Sequence, residues 1–256
     1  MIHRTAALLV LLGLATNNAH AIGWFGTDLQ GRACEGGEQH YGPYDYRKPE
    51  NHGYRLHIVE SYHFNKQVEH LIKGMTGKLE GDINYTLRAF PNHHKALKSI
   101  ARLSLRRPSA DKKFPEAECY LQRAAVFTPD DPIVHLIFAI YLHQKHKLQR
   151  AKKEYQLAIK YSPKSGLAHY NYGLVLVDLD DVKGAKKQAR IAAKLGYPLK
   201  GLDKLIKKAE ARNAQEKDDK ATSKNSDKTK APSTKDSSMQ DKTASKHGRD
   251  QSNIGS

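Results

Sequence analysis

Cysteine and tryptophan are almost missing from this 256-residue chain, with two of the first and one of the second. Two cysteines cannot build a four-thiolate zinc site, and they are not spaced for zinc or for covalent haem attachment. Long apolar runs are missing too. The longest, Ala6 to Ala15, falls short of the roughly 20 residues that a spanning helix needs, and no later segment could cross a bilayer. There is no Gly-rich phosphate loop after a strand, no nucleophile with a base in a recognisable motif and no pair of carboxylates in one element. Nothing therefore points to an enzyme or to a cofactor. Acidic residues are scarce relative to basic ones, 27 against 43, and the net charge is +16.

What is present begins with a basic start at His3 and Arg4, the short apolar run, and a close in Ala19-His20-Ala21. That is the layout of a secretory signal peptide over residues 1–21, so the expectation is a periplasmic or secreted chain that begins near Ile22. No cysteine stands at the cut, which argues against a lipoprotein. Thiols in oxidising compartments tend to pair, which makes Cys34 and Cys119 a candidate disulfide. It would close a loop of about 85 residues and stabilise the fold by roughly 4 kcal/mol. At the other end, residues 213–256 are Lys, Asp, Ser, Thr and Ala with almost nothing apolar, a composition expected to be disordered. About nine basic residues there face seven acidic ones, so the excess positive charge belongs to the rest of the chain.

The middle echoes itself with a period of about 34 residues. Ala117, Ala151 and Ala185 are evenly spaced, as are Ala124, Ala158 and Ala192, and Pro129 and Pro163 keep the interval. Helices are expected at 133–144 and 148–161, the first opened by Asp130-Asp131-Pro132. The same pattern recurs over 166–199, closed by Gly196 and Pro198. A weaker unit fills 92–131, with four extra residues expected near Arg107-Pro108-Ser109. Residues 200–212 read as a capping helix, apolar at Leu202, Leu205, Ile206 and Ala209. On the Ala, aromatic-or-Leu, Ala and Pro positions of its second helices, the segment 92–212 resembles the tetratricopeptide repeat (TPR) family. The family's large aromatic in the leading helix is replaced by Leu97, His135 and His169. The resemblance implies a mostly α fold, a right-handed helical-hairpin solenoid of three repeats (92–131, 132–165, 166–199) that binds other proteins and is seldom catalytic.

Residues 22–91 precede the repeats. Gly36-Gly37 and the aromatic run Tyr41 to Tyr46 read as ordered coil. Alternation of Leu56 and Ile58 suggests a strand at 55–62, and alternation of Ile83, Tyr85, Leu87 and Ala89 a second at 82–90, for which a helical half-repeat is the rival. Asn65 can cap a helix carrying Val68, Leu71, Ile72 and Met75, ending near Gly77. The expected N-terminal element is thus small and α+β.

If leading helices line the concave face, as the resemblance implies, the groove positions are Ile133, Leu136, Ile140 and His143, then Leu167, Tyr170, Leu174 and Val177. These helices are apolar nearly all round, so something should cover them. The chain's own N-terminal segment is one candidate, and a partner helix or strand is the other. The first leading helix instead carries Lys95, Lys98, Arg102 and Arg106 at three- and four-residue spacing, a basic stripe that would suit an acidic peptide, a carboxylate or a phosphorylated polymer. It also suits an ordinary solvated face. The family's lysine and asparagine pattern for clamping a terminal carboxylate is not reproduced. A second basic zone, Lys145 to Lys208, sets about sixteen Lys and Arg against about five acids. Export argues against nucleic acid and toward anionic envelope polymers or plain solubility. Among fourteen histidines, Glu60, His63, His93 and His94 could form a metal site if the two strands paired. The reading is an adaptor or scaffold in an envelope or secretion assembly, with polyanion binding or metal and ligand binding through the histidines as alternatives.

Overall fold

A computed structural model describes residues 23–37, 41–106, 114–197 and 200–227, so the signal-peptide segment, the expected insertion around Arg107 to Ser109 and residues 228–256 lie outside the described residues. Internal contacts divide the chain at Glu210 into two units. The helices in order are α1 (Pro49–His52), α2 (Arg55–His63), α3 (Lys66–Glu69), α4 (Leu79–Ala89), α5 (His94–Arg106), α6 (Ala117–Phe127), α7 (Pro132–Gln144), α8 (Leu148–Tyr161), α9 (Gly166–Asp178), α10 (Val182–Lys194) and α11 (Lys200–Asp227). Among the described residues the fold is helical throughout, apart from an isolated antiparallel bridge between Thr27 and Ala33.

The TPR-type stack is visible in which helices touch. Each second helix (α6, α8) packs on its own leading helix and on the next one, while α5 meets α7 and α7 meets α9. Leading helices therefore form the inner layer. The turn between units is repeated almost atom for atom. Phe90, Thr128 and Ser162 close their helices by donating to the carbonyls of Thr86, Ala124 and Ala158, and His93, Asp131 and Ser165 then donate to Phe90, Thr128 and Ser162. Those last three residues are the N-caps. Asp131 accepts from Ile133 and Val134, Ser165 accepts from Ala168, and His93 does the same with its ring, Nδ1 accepting from the Ala96 amide. The turn inside the second unit also recurs in the third. Lys147 donates to Leu142 around His146, and Asp181 donates to Leu176 around Asp180, with φ of 55° and 59° at the two central residues. The small alanines do what close helix approach requires: Ala117, Ala124, Ala151, Ala158, Ala185 and Ala192 are all buried.

The two expected strands are helices. In α2, Leu56 and Val59 turn inward three residues apart while Ile58 is 41 % exposed, so the apparent alternation was one turn of helix seen at the wrong period. In α4, Ile83 and Leu87 share the buried face with Thr86, and the helix ends ahead of Pro91 as α6 ends ahead of Pro129. The half-repeat rival was right. Because α4 packs on both α2 and α5, α2 and α4 form a degenerate helix pair at the head of the stack. Asn65 does cap a helix, accepting from Gln67 and Val68, but α3 is one turn long. Leu71 takes φ 62° and the chain leaves, so Ile72 (70 %) and Met75 (40 %) face solvent instead of a core. The departing loop is tied down by buried Asp82, which accepts from the Met75 amide (2.6 Å), the Thr76 amide (3.1 Å), the Thr76 hydroxyl (2.6 Å) and His63 Nδ1 (3.0 Å).

The stretch 23–37 lies on α6. Trp24 meets Tyr120 edge-on, Gln122 donates to the Thr27 carbonyl, and Cys34 is bonded to Cys119. At the far end Leu202, Ile206 and Ala209 are buried, but Leu205 is 44 % exposed, because the inward stripe of α11 follows the 202, 206, 209 spacing. The helix also continues to Asp227, through residues expected to be disordered. Ala, Gln, Glu and Lys there favour helix even where no core is available.

Candidate protein-binding face

Aligning the three leading helices on their caps, His93, Asp131 and Ser165, brings the two groups of candidate residues into one register. Two, five, nine and thirteen positions after the cap stand Lys95, Lys98, Arg102 and Arg106 in α5; Ile133, Leu136, Ile140 and Gln144 in α7; and Leu167, Tyr170, Leu174 and Asp178 in α9. The basic stripe and the apolar positions are thus the same side of successive leading helices, cationic in the first and, up to the polar Gln144 and Asp178 at their ends, apolar in the next two. Lys95, Lys98 and Arg106 are exposed and Arg102 is half-buried. Ile133 and Leu167 are about equally exposed, at 41 % and 40 %, while Ile140, Tyr170 and Leu174 are half-buried. Leu136 and Val177 are buried between helices and contribute packing more than contact surface. His143, instead of lining an apolar groove, sets Nε2 2.7 Å from Asp178 Oδ2 and ties α7 to α9.

Glu60 and Glu69 of the N-terminal segment, their pKa lowered chiefly by His93 and Lys66, also feel the charge of Lys95 at the cationic end of this face. Among the described residues, the segment's hydrogen bonds and ion pairs lie elsewhere. They fall on α6, on the α6–α7 turn through Arg47 with Asp130 (3.1 Å) and Asp131 (3.5 Å), and on α5 where Ser99 donates to the Glu69 carbonyl. Tyr170 is partly shielded from the other side by Tyr197, with ring centroids 5.3 Å apart.

Glu60, His63, His93 and His94 do not converge. His93 sits 3.1 Å from Glu60, His63 3.0 Å from Asp82 and His94 2.8 Å from Asp131, and among the described residues no three potential ligands meet. Each histidine has a carboxylate of its own. His93 is fully buried, and burial pulls its pKa down against the opposing pull of Glu60. With Nδ1 accepting from Ala96, the ring is a neutral cap whose Nε2–H donates to Glu60. At Asp131, burial opposes ionisation, but His94 and the amides of α7 hold its pKa below the usual carboxylate range. At Asp45 burial again opposes ionisation, and Arg47 and Asn92 outweigh it and hold the carboxyl at about 2.

A repeated polar device escaped the sequence reading. His135 faces Glu154 Oε2 with Nδ1 (2.7 Å) and the Pro129 carbonyl with Nε2 (2.9 Å). One repeat on, His169 faces Gln188 Oε1 (2.7 Å) and the Pro163 carbonyl (3.0 Å). Each ring staples the turn before its leading helix to the second helix of the same repeat. For His135 both neighbours are acceptors, so the ring fits best as a double donor. Burial works against that charge, but the hydrogen bonds to Glu154 and Pro129 outweigh it and raise the pKa above 6.5. The clue in the sequence was that His135 and Glu154 are spaced as His169 and Gln188 are.

No known family and no curated protein matches the chain. Among solved structures, the TPR domain of Sgt2 from Aspergillus fumigatus is similar over 57 % of this chain and 89 % of that one, at 18 % identity and a TM-score of 0.40. The repeat assignment rests on the recurring turns and buried alanines, independently of that likeness.

Proposed function

We propose that this chain is an exported protein-interaction module, an adaptor or scaffold in a cell-envelope or secretion assembly, that takes a partner segment on its leading-helix face. The observation that carries the reading is the two-part face, cationic on α5 and apolar on α7 and α9, with exposed residues in all three helices. A segment that is acidic at one end and apolar over the rest fits it. Charged groups at such a rim speed and orient docking, and apolar anchors supply most of the affinity. Export is supported by the layout of residues 1–21 and agrees with the Cys34–Cys119 bond, since disulfides persist in oxidising compartments.

The test is in-cell crosslinking and recovery of the mature chain, with Lys95, Lys98, Arg102 and Arg106 changed to Glu in parallel. A discrete stoichiometric protein recovered with the native chain and lost with the variant is expected. No such protein in either sample would sink the reading. The mature N-terminus, read by mass spectrometry, should fall near Ile22.

A second reading, polyanion binding, draws on the outward faces of α8 and α10, where Lys153, Lys160, Lys183, Lys187 and Lys194 are exposed. It predicts retention on anionic cell-wall or lipopolysaccharide fractions that falls steeply with salt, as the screening length drops below about 10 Å above 0.1 M.

A further inference from the structure

The buried stripe of α11 continues the repeat. Leu202, Ile206 and Ala209 stand one repeat length after Ala168, Tyr172 and Val175, which stand one repeat length after Val134, Phe138 and Tyr141, and all nine are buried. The start of α11 is therefore a leading helix in register, packed so closely that its Leu202 would collide with a Cβ at Gly173. Among the described residues the unit has no second helix of its own. In the earlier repeats that helix packs on its own leader, and α8 also reaches the second helix before it through the Arg150–Glu118 ion pair. Here the corresponding place is an open groove between α10 and α11, floored by Ala189, Ala193 and Ile206 and edged by Arg190, Asp203 and Lys207. An ion pair between Lys186 and Glu210 closes one end. Asp203 occupies the position of His135 and His169, the residues that reach across to Glu154 and Gln188 of their second helices. Asp203, Arg190 and Lys207 are exposed, and none has a polar partner among the described residues.

We propose that this groove is an acceptor for an amphipathic helix supplied by another protein, which completes the unfinished repeat. The chemistry of that helix follows from the ones already in place. Small residues seven apart, as in Ala117/Ala124, Ala151/Ala158 and Ala185/Ala192, would let it approach. A basic residue three places after the first small one would meet Asp203, where Glu154 meets His135. Acidic residues would flank it opposite Arg190 and Lys207. The site continues an interface that the molecule forms three times within itself. It uses α10 and α11, so it is separate from the leading-helix face proposed above.

The probe is a labelled synthetic peptide of residues 148–161 carrying Glu154→Lys, titrated into the mature chain and followed by fluorescence anisotropy. Saturable binding is expected, weakened more than tenfold by Ala193→Trp, which fills the groove from an exposed position. Asp203→Lys should reverse the preference, weakening the substituted peptide and strengthening the native Glu154 peptide by about threefold to fivefold each, the scale of an exposed ion pair. Changing Lys95, Lys98, Arg102 and Arg106 to Glu should leave this binding intact, which separates the site from the leading-helix face. Absence of binding, or binding indifferent to both Ala193→Trp and Asp203→Lys, would overturn the proposal. So would a dimer in sedimentation that Asp203→Lys dissociates, because the occupant would then be a second copy.

Discussion

The first repeat and the two after it share a register and solve different problems. On the outer side of α6 stand Glu118, Cys119 and Arg123, and the same positions are Lys152, Lys153 and Leu157 in α8 and Lys186, Lys187 and Ile191 in α10. Of these, Lys153 and Lys187 are exposed to water. The first meets residues 23–37 at two of these positions: Cys119 is bonded to Cys34, and buried Arg123 donates to the Leu87 carbonyl at 2.9 Å with its guanidinium 5.3 Å from the Trp24 ring, while buried Glu118 pairs with Arg150 of α8. Burial pulls the pKa of Arg123 down to about 10, which still leaves it charged at neutral pH. On the inner side the contrast runs the other way. The second and third repeats are stapled by His135 with Glu154 and His169 with Gln188, whereas the first has Leu97 and Tyr120 at those places. A repeat array can be locked by a device it copies or by a strap it receives, and this chain uses both.

Cutting the strap should have the largest effect. Cys34→Ser with Cys119→Ser, followed by denaturant unfolding, should cost about 4 kcal/mol in the chain-entropy account. Hydrogen exchange should speed up in α5 and α6 well before α9 and α10. Equal acceleration throughout would mean that the two regions do not differ in the way described.

Removing the copied staple comes next. His135→Ala leaves Glu154 and the Pro129 carbonyl without their partner and should cost about 1.5–3 kcal/mol in the same assay. Installing the pair of the first repeat, His135→Leu with Glu154→Tyr, should recover part of the loss, since an apolar pair leaves nothing unsatisfied.

Titration sharpens the contrast further. His135 has its pKa raised in the fold, so its contribution is complete below about 6.5 and is lost as pH rises through the higher folded value. His93, lowered by burial, contributes fully above about 6.5 and progressively less as pH falls below it. Thermal unfolding against pH should therefore lose its alkaline decline in His135→Leu and keep its acid decline. Retention of both would remove the staple from the account. The smallest effect belongs to the turns inside the repeats: His146→Gly relieves a left-handed backbone position and should stabilise by roughly 1 kcal/mol, read as a shift in the unfolding midpoint.

The periodic part of this fold was legible and the rest was not, for identifiable reasons. From Ala117 to Lys194 each helix had a copy to check it against, and the helices expected at 133–144 and 148–161 fall within a residue of α7 and α8. At 55–62 there was no copy, and Leu56 and Ile58 imitate a strand because two residues cannot tell period 2 from period 3.6. Residues 65–77 offered a sound cap at Asn65, but nothing in composition betrays that Leu71 turns left-handed. The candidate face was half visible. Its cationic and apolar residues could be picked out separately, but their identity as one surface depended on recognising His93 as an N-cap equivalent to Asp131 and Ser165, and a histidine ring rarely has that role. The staples were hidden because a polar residue in place of the family's aromatic reads as a departure until its partner on the following helix is seen.

The bond between Cys34 and Cys119 also decides how the molecule carries load. If the chain is pulled between its N-terminal segment and the far end of the stack, tension reaching Cys34 crosses through sulfur to Cys119 and continues along α6. Everything between them, including α1 to α5 and the basic stripe on α5, hangs outside the load path. While the bond is intact, a tether drawn taut at the N-terminus would strain the later repeats and leave the cationic end of the face at rest.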